Sequence, residues 1–259
     1  MATHTRRLAP SLAIGLAAWA AYTLLVSAVQ ASSGVPYAEW FRSAHNAWRV
    51  GALSLAAGSA LLVGLVMLLR WDHLWRDPSR LPVTRLMQLA MAVWVLQIVV
   101  RVVGVRWGNV PPDLLAAIVA SGVLVGFAEE LLFRGMLLRG LRAGGRVEWK
   151  VALWVALCFG LFHLPNVLMG MGLPGLVQVP LAATSGVVLY LFRRRYGVIW
   201  PAMVAHGTWD ISTFLSGGYA TPWLGVWTLA TLVVVPLLGL AVAVQLYRRD
   251  RTLVALPQG

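Results

Sequence analysis

Five ionisable side chains lie within strongly apolar stretches of the sequence. The carboxylates are Glu129, Glu130 and Asp210, and the imidazoles are His163 and His206. A glutamate beside histidines suits activation of water, because the carboxylate takes the proton while the imidazoles position the water or stabilise an oxyanion. Neutral histidine and carboxylate are also zinc ligands, so metal-assisted hydrolysis is a second chemistry open to the same residues.

The spacing of these residues predicts how they are arranged on helices. Glu130 and Arg134 are four residues apart and can pair along one helix face. Glu129 points about 100° away from Glu130, which leaves it free for another task. His206 and Asp210 are also four residues apart, so they can hydrogen bond or face one cavity together.

Charged side chains make the insertion of a helix into a membrane less favourable. Each costs about 2.5–3.5 kcal/mol at a helix centre, so three carboxylates cost roughly 8–10 kcal/mol on the same scale. That sum is large against typical net stabilities of about 5–15 kcal/mol. We therefore expect these groups to be paired, neutralised or exposed to a polar cavity.

The composition indicates a membrane protein. Of the 259 residues 59% are hydrophobic and 12% are charged, with a mean hydropathy of +0.77. Soluble domains carry about 25% charged residues, so an ordinary soluble domain is excluded. The single cysteine, Cys158, excludes an intrachain disulfide and a cysteine-rich metal site. We predict an all-α polytopic protein with one transmembrane domain, residues 1–259.

Apolar stretches recur at the spacing of membrane spans, and they predict about eight transmembrane helices around an intramembrane cavity. The first is long for a signal peptide, so we interpret it as a retained anchor, with cleavage as the alternative. The predicted spans are Leu8–Gln30, Val50–Leu69, Leu86–Val103, Leu114–Phe133, Val151–Met171, Leu176–Phe192, Val198–Leu215 and Trp223–Leu246.

The basic residues predict the orientation. If both termini are cytoplasmic, 17 of the 21 Lys and Arg residues fall on the cytoplasmic side, as the positive-inside rule requires. We therefore interpret the net charge of +12 as a sign that the protein lies against anionic lipid, and not that it binds nucleic acid. We expect a multi-pass protein of the plasma membrane, with Glu129, His163 and His206 in one layer on the cytoplasmic side of the bilayer centre.

Three short motifs resemble those of the CPBP family of intramembrane proteases, which includes CAAX proteases and bacteriocin-processing enzymes and is also called the ABI family. The pattern EExxxR matches residues 129–134, FxxxH matches 159–163, and histidine followed four residues later by Asn or Asp matches 206–210. The motifs occur in the family's order on three predicted spans. They define an expected catalytic core over residues 113–216.

The resemblance implies an eight-helix core with a cavity open to the cytoplasm, and an endopeptidase of the glutamic or metalloprotease type. It implies Glu129 as general base and His163 as the residue that helps to hold and activate water. His206 and Asp210 would face the oxyanion or a metal. Glu130 would support the site as an ion pair.

The resemblance also implies two supporting residues, and the chain departs from the family pattern at one position. Arg134 is the partner in the ion pair, and Phe159 is expected to pack in the core. Family members that trim prenylated eukaryotic proteins have Asn where this chain has Asp210. An ionised carboxylate cannot donate to an oxyanion, so Asp210 is protonated, orients His206 or binds a metal. The candidate metal ligands are Glu129, His163, His206 and Asp210, although we expect no tightly bound metal.

Two other functions remain open from the residues alone. The same side chains would suit a proton or cation relay in a transporter or channel, although no internal repeat is evident. A non-catalytic scaffold or immunity protein is the second alternative. For a protease, 20 arginines against one lysine fit a prokaryotic chain, whose substrate would be a membrane-proximal peptide or a lipidated precursor.

Overall fold

The structure is a computed structural model that describes residues 8–78 and 80–255, with side chains up to Asp250. Arg6, Arg7 and the side chain of Arg251, which contribute to the predicted orientation, lie outside the described residues. The described part is helical and contains no strand beyond two isolated bridges, Arg76 with Val198 and Val105 with Ala220. The predicted all-α fold is confirmed.

The helices follow one another with short connections. Short 3₁₀ turns cover Tyr37–Glu39 and Trp107–Asn109, and π-helical segments cover Ala47–Ala52, Leu131–Leu137 and Val167–Met171. The main helices are α1 (Leu12–Ser32), α2 (Ala44–Leu69), α3 (Arg85–Val103), α4 (Pro112–Ala143), α5 (Glu148–Leu161), α6 (Leu173–Tyr196), α7 (Trp200–Tyr219), α8 (Pro222–Thr231) and α9 (Val234–Ala255).

Six helical segments of the described chain are long and apolar enough to cross a membrane: α1, α2, α3, α4, α6, and α8 with α9. The predicted span Val151–Met171 is not one helix, because α5 ends at Leu161 after 14 residues. The helix α7 has 20 residues but carries His206 and Asp210. The protein is therefore a multi-pass membrane protein, and the number eight stays a prediction.

Local sequence signals set several helix ends. The side chains of Ser11 and Thr84 accept hydrogen bonds from the first turns of α1 and α3, as N-caps do. Gly197 ends α6 with a φ of 69°, a left-handed conformation that favours glycine, and its N–H bonds the carbonyl of Arg193. The chain can thus turn within a few residues into α7.

The helix α4 lies at the centre of the bundle and is the most buried of the six apolar segments. It packs against α7 on one side and α1 and α2 on the other, while α5, α6 and α9 form a neighbouring group. Large apolar side chains of the peripheral helices remain exposed, for example Leu24, Met67 and Leu229. In a membrane protein these exposed apolar side chains form the surface that contacts lipid tails.

An ion-pair network closes one end of the bundle. The carboxylate of Asp77 accepts from Arg142 at 2.8 Å, Arg193 at 3.0 Å and Arg194 at 3.0 Å. Glu148 accepts from Arg142 at 2.6 Å and from Arg194 at 2.7 Å. Arg193 and Arg194 are buried. Through these bonds the two arginines fasten the loop that bears Asp77 to α6.

Replacing Asp77 with Asn should destabilise the protein strongly, because removing one partner from a buried charge network costs about 3–5 kcal/mol. Burial alone would raise the pKa of Asp77, but Arg193, Arg142 and Arg194 outweigh it and hold that pKa below its usual 3.8. The carboxylate therefore stabilises the fold above pH 3.8 and loses this contribution as the pH falls further. Thermal unfolding in detergent across pH measures both effects.

The matched control is Asp113→Asn, which changes an exposed aspartate in the first turn of α4. We expect the control to unfold within about 0.5 kcal/mol of wild type, as exposed substitutions usually do. The Asp77→Asn variant should also lose part of the acid dependence of the wild type. Equal stability of the two variants would contradict the role given to Asp77.

Candidate active site

Close packing of α4 against α7 positions the candidate catalytic residues. A Cβ at Gly126 would collide with the carbonyl of Met203 and with the backbone of Gly207. A Cβ at Gly207 would lie 2.6 Å from the carbonyl of Gly122. The two backbones therefore approach as glycine interfaces in membranes allow, which brings the middle of α4 against the first half of α7.

Replacing Gly126 with Ala should separate α4 from α7 and misplace the site. We expect a loss of about 1–3 kcal/mol of stability from overpacking. Because misplacement by about 1 Å can cost 100-fold in rate, activity should fall by roughly that factor. Gly217→Ala is the control, since a Cβ on that α7 glycine meets nothing within 4 Å. Thermal unfolding and peptide hydrolysis of both variants test this, and similar behaviour would contradict it.

Glu130 joins the two helices through a single oxygen. Its Oε1 accepts a hydrogen bond from Arg134 at 2.7 Å and lies 2.8 Å from Nδ1 of His206. Arg134 donates a further bond to the carbonyl of Gly186 in α6 at 2.8 Å. Glu130 and Arg134 are fully buried. The pair predicted from the spacing is present, and Glu130 has a second task, because a carboxylate at Nδ1 fixes the tautomer and orientation of the ring.

The other nitrogen of His206 faces two carboxylates without bonding either. Its Nε2 lies 3.9 Å from Oε2 of Glu129 and 3.6 Å from Oδ2 of Asp210. Both distances exceed the range of a hydrogen bond. The two α7 residues thus face one cavity together, and the hydrogen-bond partner of His206 is Glu130.

Glu129 has an unusual environment. Its Oε2 is buried and has no hydrogen-bond partner among the described residues. Buried polar atoms are nearly always paired, so an unpaired carboxylate oxygen requires an explanation. Glu129 lines the same cavity as His206. The unpaired oxygen is therefore available to a molecule that enters the cavity.

His163 lies in the turn that follows α5. Its Nδ1 is 2.9 Å from the carbonyl of Phe159, and its ring packs edge-on against the Phe159 ring at 5.2 Å. The same phenyl ring packs against His206 at 5.4 Å and lies under the Arg134 guanidinium at 4.6 Å. Phe159, expected as simple core packing, thus separates and supports both imidazoles.

A cavity of about 820 Å³ brings the expected catalytic residues together. Glu129, His163, His206 and Asp210 all contribute to its wall, along with Phe159. The supporting residues Glu130 and Arg134 lie behind that wall. Such a volume is typical of a binding site for a small molecule or a short peptide.

Sequence reasoning missed part of this wall. Arg101 lines the cavity, donates to the hydroxyl of Thr213 at 3.1 Å, and its guanidinium stacks on Trp209 at 3.9 Å. Trp209 in turn stacks on Trp94 at 4.0 Å. In the sequence, Arg101 lies inside the predicted span Leu86–Val103, and a charge inside an apolar span was the available signal.

The residues that line the cavity extend to one end of the bundle, which we call its mouth. Its wall includes Gln30 near the end of α1, Gly51 near the start of α2, Arg101 near the end of α3, and Leu173 at the start of α6. Phe214, in the last part of α7, belongs to it as well. This is the end opposite the ion-pair network. The helix α6, whose first residue lines the cavity, carries Arg193 and Arg194 in its last turn, and the loop that bears Asp77 joins the other ends of α2 and α3.

No group of three or more His, Cys, Asp or Glu side chains in the described chain is arranged to hold an ion. One nitrogen of each histidine is directed to a protein oxygen, at Glu130 and at Phe159, which orients the ring and leaves its other nitrogen available.

Comparison with known families locates these motifs. Residues 111–212 match the family model described as type II CAAX prenyl endopeptidase Rce1-like. The match begins and ends within four residues of the predicted core segment 113–216. Searches among curated proteins and among solved structures find no match to this chain.

Proposed function

We propose that this chain hydrolyses a peptide bond within the membrane. The proposal starts from its membership of the CPBP family of CAAX-type proteases, whose family model residues 111–212 match. The observation that carries the proposal is the unpaired, buried Oε2 of Glu129, which faces a cavity and lies 3.9 Å from Nε2 of His206. A general base needs such a free oxygen beside groups that hold water.

The proposed reaction uses a water bound between Glu129 and His206. Glu129 takes one proton as the water oxygen attacks the carbonyl carbon, which forms a C–O bond and a tetrahedral intermediate. The C–N bond then breaks, and the proton held by Glu129 passes to the leaving amine. The products are a carboxylic acid and an amine, and the acid then gives its proton to the amine, which yields a carboxylate and an ammonium. The Glu129 side chain returns to its ionised starting state.

The histidines stabilise charge in this scheme. His206 is held at Nδ1 by Glu130, and its Nε2 donates to the developing oxyanion when the ring is protonated. Three carboxylates surround that ring, namely Glu129, Glu130 and Asp210, and they balance an imidazolium charge. His163, fixed at Nδ1 by a backbone carbonyl, orients the water through its other nitrogen.

Asp210 is proposed to contact the substrate side of the site. Its side chain is 21% exposed, against 7% for Glu129, so it is the more accessible carboxylate of the cavity. A protonated Asp210 would donate to the oxyanion as Asn does in related enzymes. An ionised Asp210 would instead stabilise the protonated His206.

A peptidase assay tests the proposal directly. Purified protein in detergent is given fluorogenic peptides, with and without a prenyl group, and wild type is compared with His206→Ala. We expect cleavage by the wild type and at least a 100-fold lower rate in the variant, as for loss of a catalytic imidazole. Equal rates would overturn the proposal.

The same assay tests for a metal. We propose hydrolysis without a metal, so dialysis against a zinc chelator should leave the rate unchanged. A loss of activity that added zinc restores would overturn this part. Glu129, His163, His206 and Asp210 would then be the ligands to examine.

A further inference from the structure

We infer that the mouth of the cavity faces the extracytoplasmic side of the membrane, so that substrate reaches Glu129 from outside the cytoplasm. The orientation follows from charge and geometry alone, while the statement about substrate rests on the proposed function. The sequence had suggested a site on the cytoplasmic side together with cytoplasmic termini. The positions of the cavity and of the basic residues make those two expectations incompatible.

The two ends of the bundle differ sharply in basic residues. In the described chain 14 Lys and Arg residues lie from the middle of the bundle to the closed end, against four toward the mouth. The four toward the mouth are Arg42, Arg49, Arg101 and Arg106. Positive residues close to spans are retained in the cytoplasm, so this imbalance places the closed end there.

The imbalance does not depend on the structural arginines. Five of the 14 take part in the ion pairs at Glu130, Asp72, Asp77 and Glu148. Leaving them out, nine basic residues remain toward the closed end. At the mouth, Arg101 turns into the cavity, which leaves three. The closed end therefore carries at least three times as many basic residues as the mouth on either count.

The chain ends agree with this orientation. Ser11, just before α1, has its carbonyl against Gly140 near the end of α4. Asp250, in α9, accepts a hydrogen bond from the backbone of Trp149 at the start of α5 at 2.8 Å. Both ends of the described chain thus lie at the arginine-rich end, away from the mouth.

The orientation defines a class of substrate. A peptide that enters the mouth belongs to the extracytoplasmic part of a protein, close to the membrane surface. The mouth region carries Trp107, whose side chain is exposed, and aromatic residues of this kind lie at membrane interfaces. We therefore infer that the substrate is the membrane-proximal segment of an exported or membrane-anchored protein, and not a cytoplasmic chain.

Cysteine labelling tests the orientation without any assay of activity. Ala38→Cys places a thiol in the exposed turn at the mouth, and Ala143→Cys places one at the exposed end of α4. The matched blank is the wild type, whose Cys158 is 7% exposed. Intact cells of a bacterial expression host are treated with a membrane-impermeant maleimide before and after permeabilisation.

We expect Ala38→Cys to react in intact cells and Ala143→Cys to react only after permeabilisation. The reverse pattern, or reaction of both variants in intact cells, would overturn the inference. A second pair, Asn109→Cys at the mouth and Val147→Cys at the closed end, repeats the test at independent exposed positions. Agreement between the pairs protects the result against a variant that fails to fold.

A vesicle assay then separates this inference from the proposed function. An impermeant fluorogenic peptide is added to right-side-out and to inverted vesicles that contain the wild type. Cleavage in right-side-out vesicles alone supports an outward mouth, and cleavage in inverted vesicles alone overturns it. If neither preparation cleaves any peptide, the peptidase proposal is contradicted while the labelling result still decides the orientation.

Discussion

Replacing Glu129 with Gln should abolish peptide hydrolysis and leave the protein as stable as the wild type or more so. General-base catalysis contributes about 100- to 10,000-fold, and an amide cannot take the proton. Its Oε2 makes no hydrogen bond in the described structure, so the substitution removes a costly buried charge and breaks no contact of that atom. Peptidase rates and thermal unfolding of the purified protein measure both effects.

The matched control is Glu39→Gln, which makes the same chemical change at an exposed turn. The control should retain wild-type activity and stability. The role of Glu129 would be refuted if Glu129→Gln kept more than a tenth of the wild-type rate. A marked loss of stability in Glu129→Gln would instead show that this carboxylate holds the fold.

Replacing the neighbouring Glu130 with Gln should, unlike the change at Glu129, lower the stability of the protein strongly. We expect a loss of about 3–5 kcal/mol of stability, because Arg134 would be left as an uncompensated buried charge. Activity should fall as well, since His206 would lose the carboxylate at Nδ1 that orients it. Thermal unfolding should therefore separate Glu129→Gln from Glu130→Gln, two adjacent and chemically identical changes.

A double variant separates the two tasks of Glu130. Removing both charges of a buried pair is often neutral, so Glu130→Gln with Arg134→Met should regain much of the lost stability. The double variant should remain inactive, because the carboxylate that holds His206 is still missing. Recovery of activity together with stability would show that Glu130 acts only as the partner of Arg134.

Spacing along single helices was informative in this sequence. Glu130 and Arg134 form the pair that an i, i+4 spacing predicts, at 2.7 Å. His206 and Asp210 face one cavity, again as neighbours on a helix face. Both relations depend on helix geometry alone, which a sequence determines locally.

Contacts between side chains on different helices could not be predicted from the sequence. The bond between Glu130 and His206 joins residues 76 positions apart, and it requires a particular register of α4 against α7. That register depends on the backbone contacts of Gly126 and Gly207. Glycine spacing suggested a close approach but not which residues would meet.

The sequence contained a signal for the end of α5, but the apolar character of the segment outweighed it in the prediction. An apolar run from Val151 to Met171 indicated one span, although Pro165 within it disfavours helix at the preceding residue. The structure ends the helix at Leu161 and places His163 in a turn. Hydropathy reports whether a segment prefers lipid and does not report whether its backbone is continuous.

The closed end of the bundle has a consequence for the membrane voltage. Glu130, Arg134 and the apolar side chains that follow them in α4 are completely buried, so the cavity ends at Glu129 and His206. When water fills that cavity, a voltage drops mainly across the sealed half, where moving one charge would cost about 2.3 kcal/mol per 100 mV. The Glu129 carboxylate then shares the potential of the solution at the mouth. The proposed hydrolysis would therefore move no charge across the sealed half of the membrane.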